Sequence, residues 1–291
     1  MDIILFSKFL KDHNEKDLIK RAHELDIDGY DLCVRPGYLV NPENIKEKLP
    51  QLCNILKKEG LSVQMITGDT EDLLYSNHPT AETILSAMDD SNVRLIKLGY
   101  FRYNPGKDNY WDNVKEVRNA LKDWQKLGEK YNVKICYHTH SGNMMGLNCS
   151  SLMHLIKGFD PHYIGAYIDP GHMVINGEPL ELGLDIVKDY LSIIALKDSY
   201  IFRVDNIIGS GLTLPEGDFK REFRTAGNGM VPWSKFFAEL VRMDYKGPLS
   251  VQAEYKIEDR KKFLESLEYE VSYFKKKRDQ ALMSKKGNKN G

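Results

Sequence analysis

Only four cysteines occur in the 291 residues, Cys33, Cys53, Cys136 and Cys149, and no two form a CxxC pair. A chain of this length can bury a core without covalent staples, so no disulfide framework is called for and a reduced, cytoplasmic setting is expected. Long apolar runs are missing too: none approaches 18 residues, and the N-terminus MDIILFSKF lacks a basic leader and a cleavable apolar segment. A membrane span or an export signal is therefore not expected. No charge of one sign dominates, because 41 Lys plus Arg face 42 Asp plus Glu for a net charge of -1. That balance provides no global field for nucleic acid or an anionic membrane, and neither is an expected partner. The phosphate-cradling patterns GxGxxG and GxxxxGK[ST] are also absent.

What is present is alternation. Short apolar runs recur at 3–6, 28–34, 61–66, 93–100, 133–138, 164–169, 191–197 and 249–255, and helical spacing follows each. The helices are expected at Glu15–Leu25, Pro42–Glu59, Pro79–Asp90, Trp111–Tyr131, Ser150–Lys157, Leu180–Lys188, Pro232–Met243 and Asp259–Lys277. Pro42, Pro79 and Pro232 mark first turns, while Gly60 and Gly158 follow helix ends. Eight strand-helix units in this length predict a closed (β/α)8 TIM barrel, with a doubly wound open sheet as the competing architecture. No low-complexity linker divides the chain, so residues 1–278 form one domain. Residues 279–291 are read as a basic, disordered tail; from Lys275 to Gly291 seven basic residues face one acid. The longest interruption, Ser199 to Val231, is expected to be a lid or binding loop.

In such a barrel the C-terminal strand ends form the active-site face. The residues there are Ser7 and Lys8, Asp31 and Arg35, Thr67 and Asp69, Tyr100 and Arg102, His138 and His140, Asp169 and His172, Lys197 and Asp198, and Gln252 and Glu254. Alternation along a strand puts His138 with His140, Tyr167 with Asp169, Ala195 with Lys197, and Gln252 with Glu254 on shared faces. If those faces line the lumen, His138, Asp169, Glu254 and His172 offer a mixed nitrogen and oxygen set suited to Mn, Co, Zn or Mg. Lys197 becomes an acid-base group if burial lowers its pKa. Plainer readings compete with each of these. A histidine at a strand end can simply hold a hydrogen bond, and Asp169 before Pro170-Gly171 can form an Asx-turn. Lys197 and Asp198 can pair with each other, and Arg35 can close the turn at Pro36-Gly37.

The ordered segments DGYDLCVRPG, YHTHSG, IDPGHM, ALKDS, GNGMVPW and QAEY resemble the xylose isomerase-like TIM barrels. That superfamily includes sugar-phosphate isomerases and epimerases, inosose dehydratases and endonuclease IV. The resemblance implies one divalent metal held by a Glu at strand five, an Asp in a D-x-x-H element, a His at strand seven and a Glu at strand eight. Asp169 and His172 match the D-x-x-H element and Glu254 the last carboxylate. Two positions depart: His138 stands at the first Glu position, and Ala195 replaces the His of a His-Leu-Lys-Asp element. An alanine cannot ligate.

The resemblance implies a sugar or sugar-phosphate isomerase or epimerase working by proton transfer next to a carbonyl. Asp169, Glu254 and His138 are the expected metal ligands. Glu254, Lys197 and His172 are the expected acid-base groups, and Arg35, Arg102, His140 and Lys8 the expected substrate contacts. A lyase on a 3-oxo-sugar or inosose is the competing reaction, and a non-catalytic sugar-binding relic the competing class. The expected partner is a small sugar, with a homodimer as the expected assembly.

Overall fold

The structure, a computed structural model, describes residues 1–69, 73–204 and 218–287. Its strands are β1 (Ile3–Phe6), β2 (Gly29–Cys33), β3 (Ser62–Thr67), β4 (Leu95–Lys97), β5 (Lys134–His138), β6 (Ile164–Ile168), β7 (Leu191–Leu196), β8 (Asp198–Val204), β9 (Asp218–Arg224) and β10 (Leu249–Val251). Strands β1 to β7 and β10 close into one parallel barrel, with β1 sealing it between β2 and β10. These strands read as continuous apolar runs rather than alternating ones because both of their faces are covered. In β2, for instance, every residue of GYDLC is buried.

The helices are α1 (Glu15–Leu25), α2 (Ile45–Lys58), α3 (Ala81–Asp90), α4 (Tyr110–Tyr131), α5 (Cys149–Ile156), α6 (Pro170–Ile175), α7 (Leu180–Val187), α8 (Trp233–Arg242) and α9 (Arg260–Gly287). Side chains start several of them: Asn14 and Asn148 form capping boxes with Asp17 and Ser151, and Asn109 accepts from two backbone N–H groups of α4. Helix α2 begins at Ile45 rather than at Pro42, because Asn41 and Asn44 first close a turn of their own.

Burial divides into two parts. The larger core lies between the strands and the helices, while Ile4, Met65, Cys136, Tyr167, Ile193 and Ala195 plug the inside of the barrel. Above that plug the lumen turns polar, so the apolar floor and the strand ends together define a pocket open on one side.

Two segments differ from expectation. The interruption Ser199–Val231 is not one irregular loop: β8 and β9 pair antiparallel from Asp198 with Arg224 to Val204 with Asp218. Residues 205–217 of that interruption lie outside the described residues. Helix α9 runs to Gly287, beyond the end expected at Lys277, and Lys285 hydrogen-bonds the carbonyl of Val241 at 2.8 Å.

Candidate active site

Strand β6 ends by delivering Asp169 to the lumen mouth with none of its surface exposed. One carboxylate oxygen, Oδ1, accepts the backbone N–H of His172 at 3.1 Å and so caps α6, with Pro170 in its first turn. The Asx-turn reading is thus part of the answer. The other oxygen, Oδ2, is buried and meets Lys197 across an ion pair. Gly171 is needed at this corner because a Cβ there would meet the Lys197 carbonyl at 2.7 Å.

Lys197 extends from the end of β7 into the space that Asp169 Oδ2 faces. Its Nζ stands 3.2 Å from Asp169 Oδ2 and 2.6 Å from Glu254 Oε2, and Glu254 Oε1 is held by Lys8 Nζ at 2.8 Å. Burial alone would lower the Lys197 pKa, but the Asp169 and Glu254 carboxylates override it and raise it. The expected lowering is therefore reversed, and Lys197 is a fixed cation at neutral pH. Burial likewise would raise both carboxyls, yet Lys197, joined by Lys8 at Glu254, holds them well below the usual carboxylate range. Asp198 plays no part in this cluster. Its carboxylate accepts N–H bonds from Ser199, Gly227, Gly229, Val231 and the Trp233 indole, pinning the segment after the hairpin. Gly229 admits that approach, since a Cβ would lie 2.1 Å from Asp198 Oδ1.

Three histidines gather around the ion pair. His138 stacks on Tyr167 with ring centroids 4.2 Å apart, and its Nδ1 shares a hydrogen bond with the Tyr100 hydroxyl at 2.5 Å. Burial, reinforced by Asp169 and Glu254, pushes the Tyr100 pKa well above 10, so the tyrosine keeps its proton. His138 Nε2 has no hydrogen-bond partner and lies 3.7 Å from Asp169 Oδ2. His172 Nδ1 meets the N–H and hydroxyl of Ser141, and its Nε2 lies 3.5 Å from Lys197 Nζ. His140 packs on His172 with centroids 4.1 Å apart. Burial keeps all three neutral at pH 7: the His138 pKa falls to about 3, that of His140 to about 4, and that of His172 well below 6.5.

The hairpin covers this cluster. Phe223 places its ring 4.6 Å from Lys197 Nζ, and Arg221 donates to Ser141 Oγ. Between β9 and the segment after β10 lies a cavity of about 570 Å³ lined by His140, Arg221, Phe223, Glu254 and Lys256 among others. Its volume suits a small molecule.

Of the expected site residues, the structure brings together Lys8, His138, His140, Asp169, His172, Lys197 and Glu254. Arg35 donates to the Gly68 carbonyl at 3.1 Å on the neighbouring rim. Arg102 does not join: it is exposed and lines a separate groove with Asn113 and Glu116. Its chain segment is turned outward by the bridge to Met144. Below the ion pair, Asp31 accepts from Thr67 and Ser250, and Gln252 donates to Ser250 Oγ and Tyr167. Burial lifts the Asp31 pKa to about 6.

Arg221, Phe223, Ser141 and Lys97 were missed in the sequence. Lys97 ends β4, where burial and then Lys197 lower its pKa to about 8. A cation between Ile96 and Leu98 in the run VRLIKLGY was its signal. For Arg221 and Phe223 the signal was the period-two pattern of DFKREFR inside the long interruption.

The residues present do not fit a divalent ion as they stand. The point between the Asp169 and Glu254 carboxylates is taken by Lys197 Nζ, Lys8 holds the other Glu254 oxygen, and Ala195 lies in the apolar plug. Among the described residues, no group of three or more His, Cys, Asp or Glu converges as a metal site.

The model of the xylose isomerase-like TIM barrel family matches residues 19–274. The chain belongs to that family. Within the xylose isomerase-like barrels, it is 22% identical over 213 residues to an inosose dehydratase of Bacillus velezensis, covering 73% of this chain and 63% of that one. It is 30% identical over 175 residues to inosose dehydratase 2 of Bacillus cereus, covering 59% of this chain and 56% of that one. The chain thus spans between half and two thirds of the length of these relatives. Among solved structures, the apo 3-keto-D-glucoside 4-epimerase from E. coli superposes with a TM-score of 0.70, covering 94% of this chain and 99% of that one. At 15% identity that likeness speaks for the fold alone. Among the described residues no helix is long and apolar enough to cross a membrane.

Proposed function

We propose that this xylose isomerase-like barrel is a sugar isomerase or epimerase that moves a proton next to a carbonyl. The observation that carries the reading is the Lys197–Glu254 pair, 2.6 Å apart where Glu254 lines the cavity under the hairpin. Proton abstraction from a carbon acid needs a base at the C–H bond and positive charge at the carbonyl oxygen. Glu254 is the carboxylate that reaches the cavity, and it serves as the base once substrate displaces the half-exposed Lys8 from Oε1. The C–H electron pair forms the enediolate double bond as the carbonyl π pair moves onto oxygen, and the carboxylate takes the proton. Return of that proton to the neighbouring carbon isomerises the sugar, whereas reprotonation on the opposite face of the same carbon epimerises it. His140 and Arg221, which both line the cavity, are the groups assigned to substrate hydroxyls.

The second reading is elimination, favoured by the relatives being inosose dehydratases. The same abstraction followed by loss of a β-hydroxyl as water yields an enone. A panel of keto-sugars, their phosphates and inososes incubated in heavy water separates these outcomes. Solvent deuterium entering an intact sugar supports the first reading, and appearance of an enone chromophore supports the second. Sugar binding without exchange or water loss across the panel would overturn both and indicate a non-catalytic sugar-binding protein.

A further inference from the structure

The geometry points to Lys197 as a built-in cation that occupies the position of a divalent ion between Asp169 and Glu254 and supplies the positive charge for the carbonyl oxygen. The inference rests, for its chemical role, on the proton-transfer reading above; the occupancy itself does not.

Three observations converge. The first is position: Nζ is 2.6 Å from Glu254 Oε2, 3.2 Å from Asp169 Oδ2 and 3.5 Å from His172 Nε2, so both carboxylates converge on the ammonium. The second is the floor beneath it. Ala195, two residues earlier on the same strand face, packs with Ile4, Met65, Cys136, Tyr167 and Ile193, so β7 presents an apolar floor and then a lysine. An alanine offers no donor there, and Lys197 is the polar group that follows it at the end of the strand. The third is the state of the other donors. Tyr100 hydrogen-bonds His138 Nδ1, and Lys8 occupies the second oxygen of Glu254. Glu254, with a lysine at each oxygen, is fully engaged without a metal.

An ammonium has three N–H bonds. Nζ forms ion pairs with both carboxylates and also meets His172 Nε2 at 3.5 Å and the Phe223 ring. An entering carbonyl oxygen would replace His172 as the partner of one N–H. The charge on that oxygen as the C–H bond breaks is then met by a group already desolvated and fixed by two carboxylates, which is how preorganised charge lowers a barrier. A lysine cannot chelate a carbonyl and a neighbouring hydroxyl as a metal can. The arrangement therefore favours a substrate recognised at one oxygen by Lys197 and elsewhere by Arg221 and His140.

The test is a calorimetric Mn²⁺ titration of the full-length chelator-treated protein, beside Asp169→Asn and Lys197→Ala. The wild type is expected to show no site tighter than about 1 mM, a value unchanged by Asp169→Asn. Lys197→Ala, with the gap vacated, is expected to bind at least tenfold more tightly than wild type. A micromolar Mn²⁺ site in the wild type that Asp169→Asn abolishes would overturn the assignment. If Lys197→Ala does not fold, the wild-type titration with Asp169→Asn still decides. In the exchange assay, the rate should change less than twofold with EDTA and fall at least 100-fold in Lys197→Met. Strong EDTA inhibition restored by Mn²⁺ would likewise overturn it. A wild type that binds no Mn²⁺ and exchanges no sugar upholds the occupancy of the site by Lys197 while removing the proton-transfer reading.

Discussion

The Nζ of Lys197 stands 2.6 Å from Oε2 of Glu254, with Asp169 on its other side at 3.2 Å. Sequence places these three residues just beyond the ends of strands β7, β10 and β6, and barrel closure makes them neighbours. Because the ammonium satisfies two buried or half-buried carboxylates together, its removal is not a simple loss of one contact.

Lys197→Met is expected to destabilise the fold by about 3–5 kcal/mol, because breaking a buried ion pair leaves uncompensated charge behind. The double variant Lys197→Met/Glu254→Gln should cost less than the sum of the single changes, with a coupling of at least ~1 kcal/mol. Urea denaturation of the four proteins measures it. Additivity would mean that the two side chains do not share an interaction.

Acid should destabilise the protein through its histidines. A base whose folded pKa lies below its unfolded value of 6.5 stabilises the fold above that pH, and the contribution is lost as pH falls towards the folded pKa. For His140 the window runs from 6.5 down to about 4, and for His138 down to about 3. At about 1.4 kcal/mol per pH unit, His140 alone withdraws roughly 3 kcal/mol across its window. Thermal melts between pH 7 and pH 4 should show a steep fall, and His140→Gln should flatten it.

Phe223→Ala and Arg221→Ala are expected to leave global stability within about 0.5 kcal/mol, as substitutions on the outer hairpin rather than in the core. The exchange rate should nonetheless fall tenfold or more, because Phe223 packs over Lys197 and Arg221 lines the cavity. Unchanged rates in both variants would remove the hairpin from the site.

Asp198→Ala should do the opposite. It strips the acceptor from N–H groups of Ser199, Gly227, Gly229, Val231 and Trp233. A loss of about 3 kcal/mol or more is expected, since each orphaned buried donor costs about 1–3 kcal/mol. Mn²⁺ titration of the folded variant should match wild type. The adjacent residues Lys197 and Asp198 therefore separate into a site group and a structural one, where the sequence alone left them able to pair with each other.

The eight strands were legible because each is an apolar run long enough to be buried on both faces, and the helices because their caps and spacing are local. Asp169, His172, Lys197 and Glu254 were legible as strand-end residues, since period-two alternation fixes which side chains share the lumen. Lys97 was less legible because β4 ends at that residue, whereas the apolar run continues to Tyr100. The hairpin was hidden because its strands pair only with each other, so no barrel pattern announced them.

By itself the sequence determined the repeat of strands and helices and the residue types at each strand end. Only the tertiary structure decided which of them meet and in what charge state. Charge states depend on neighbours brought together across strands, and Lys197 is raised rather than lowered because barrel closure sets Asp169 and Glu254 against it from both sides.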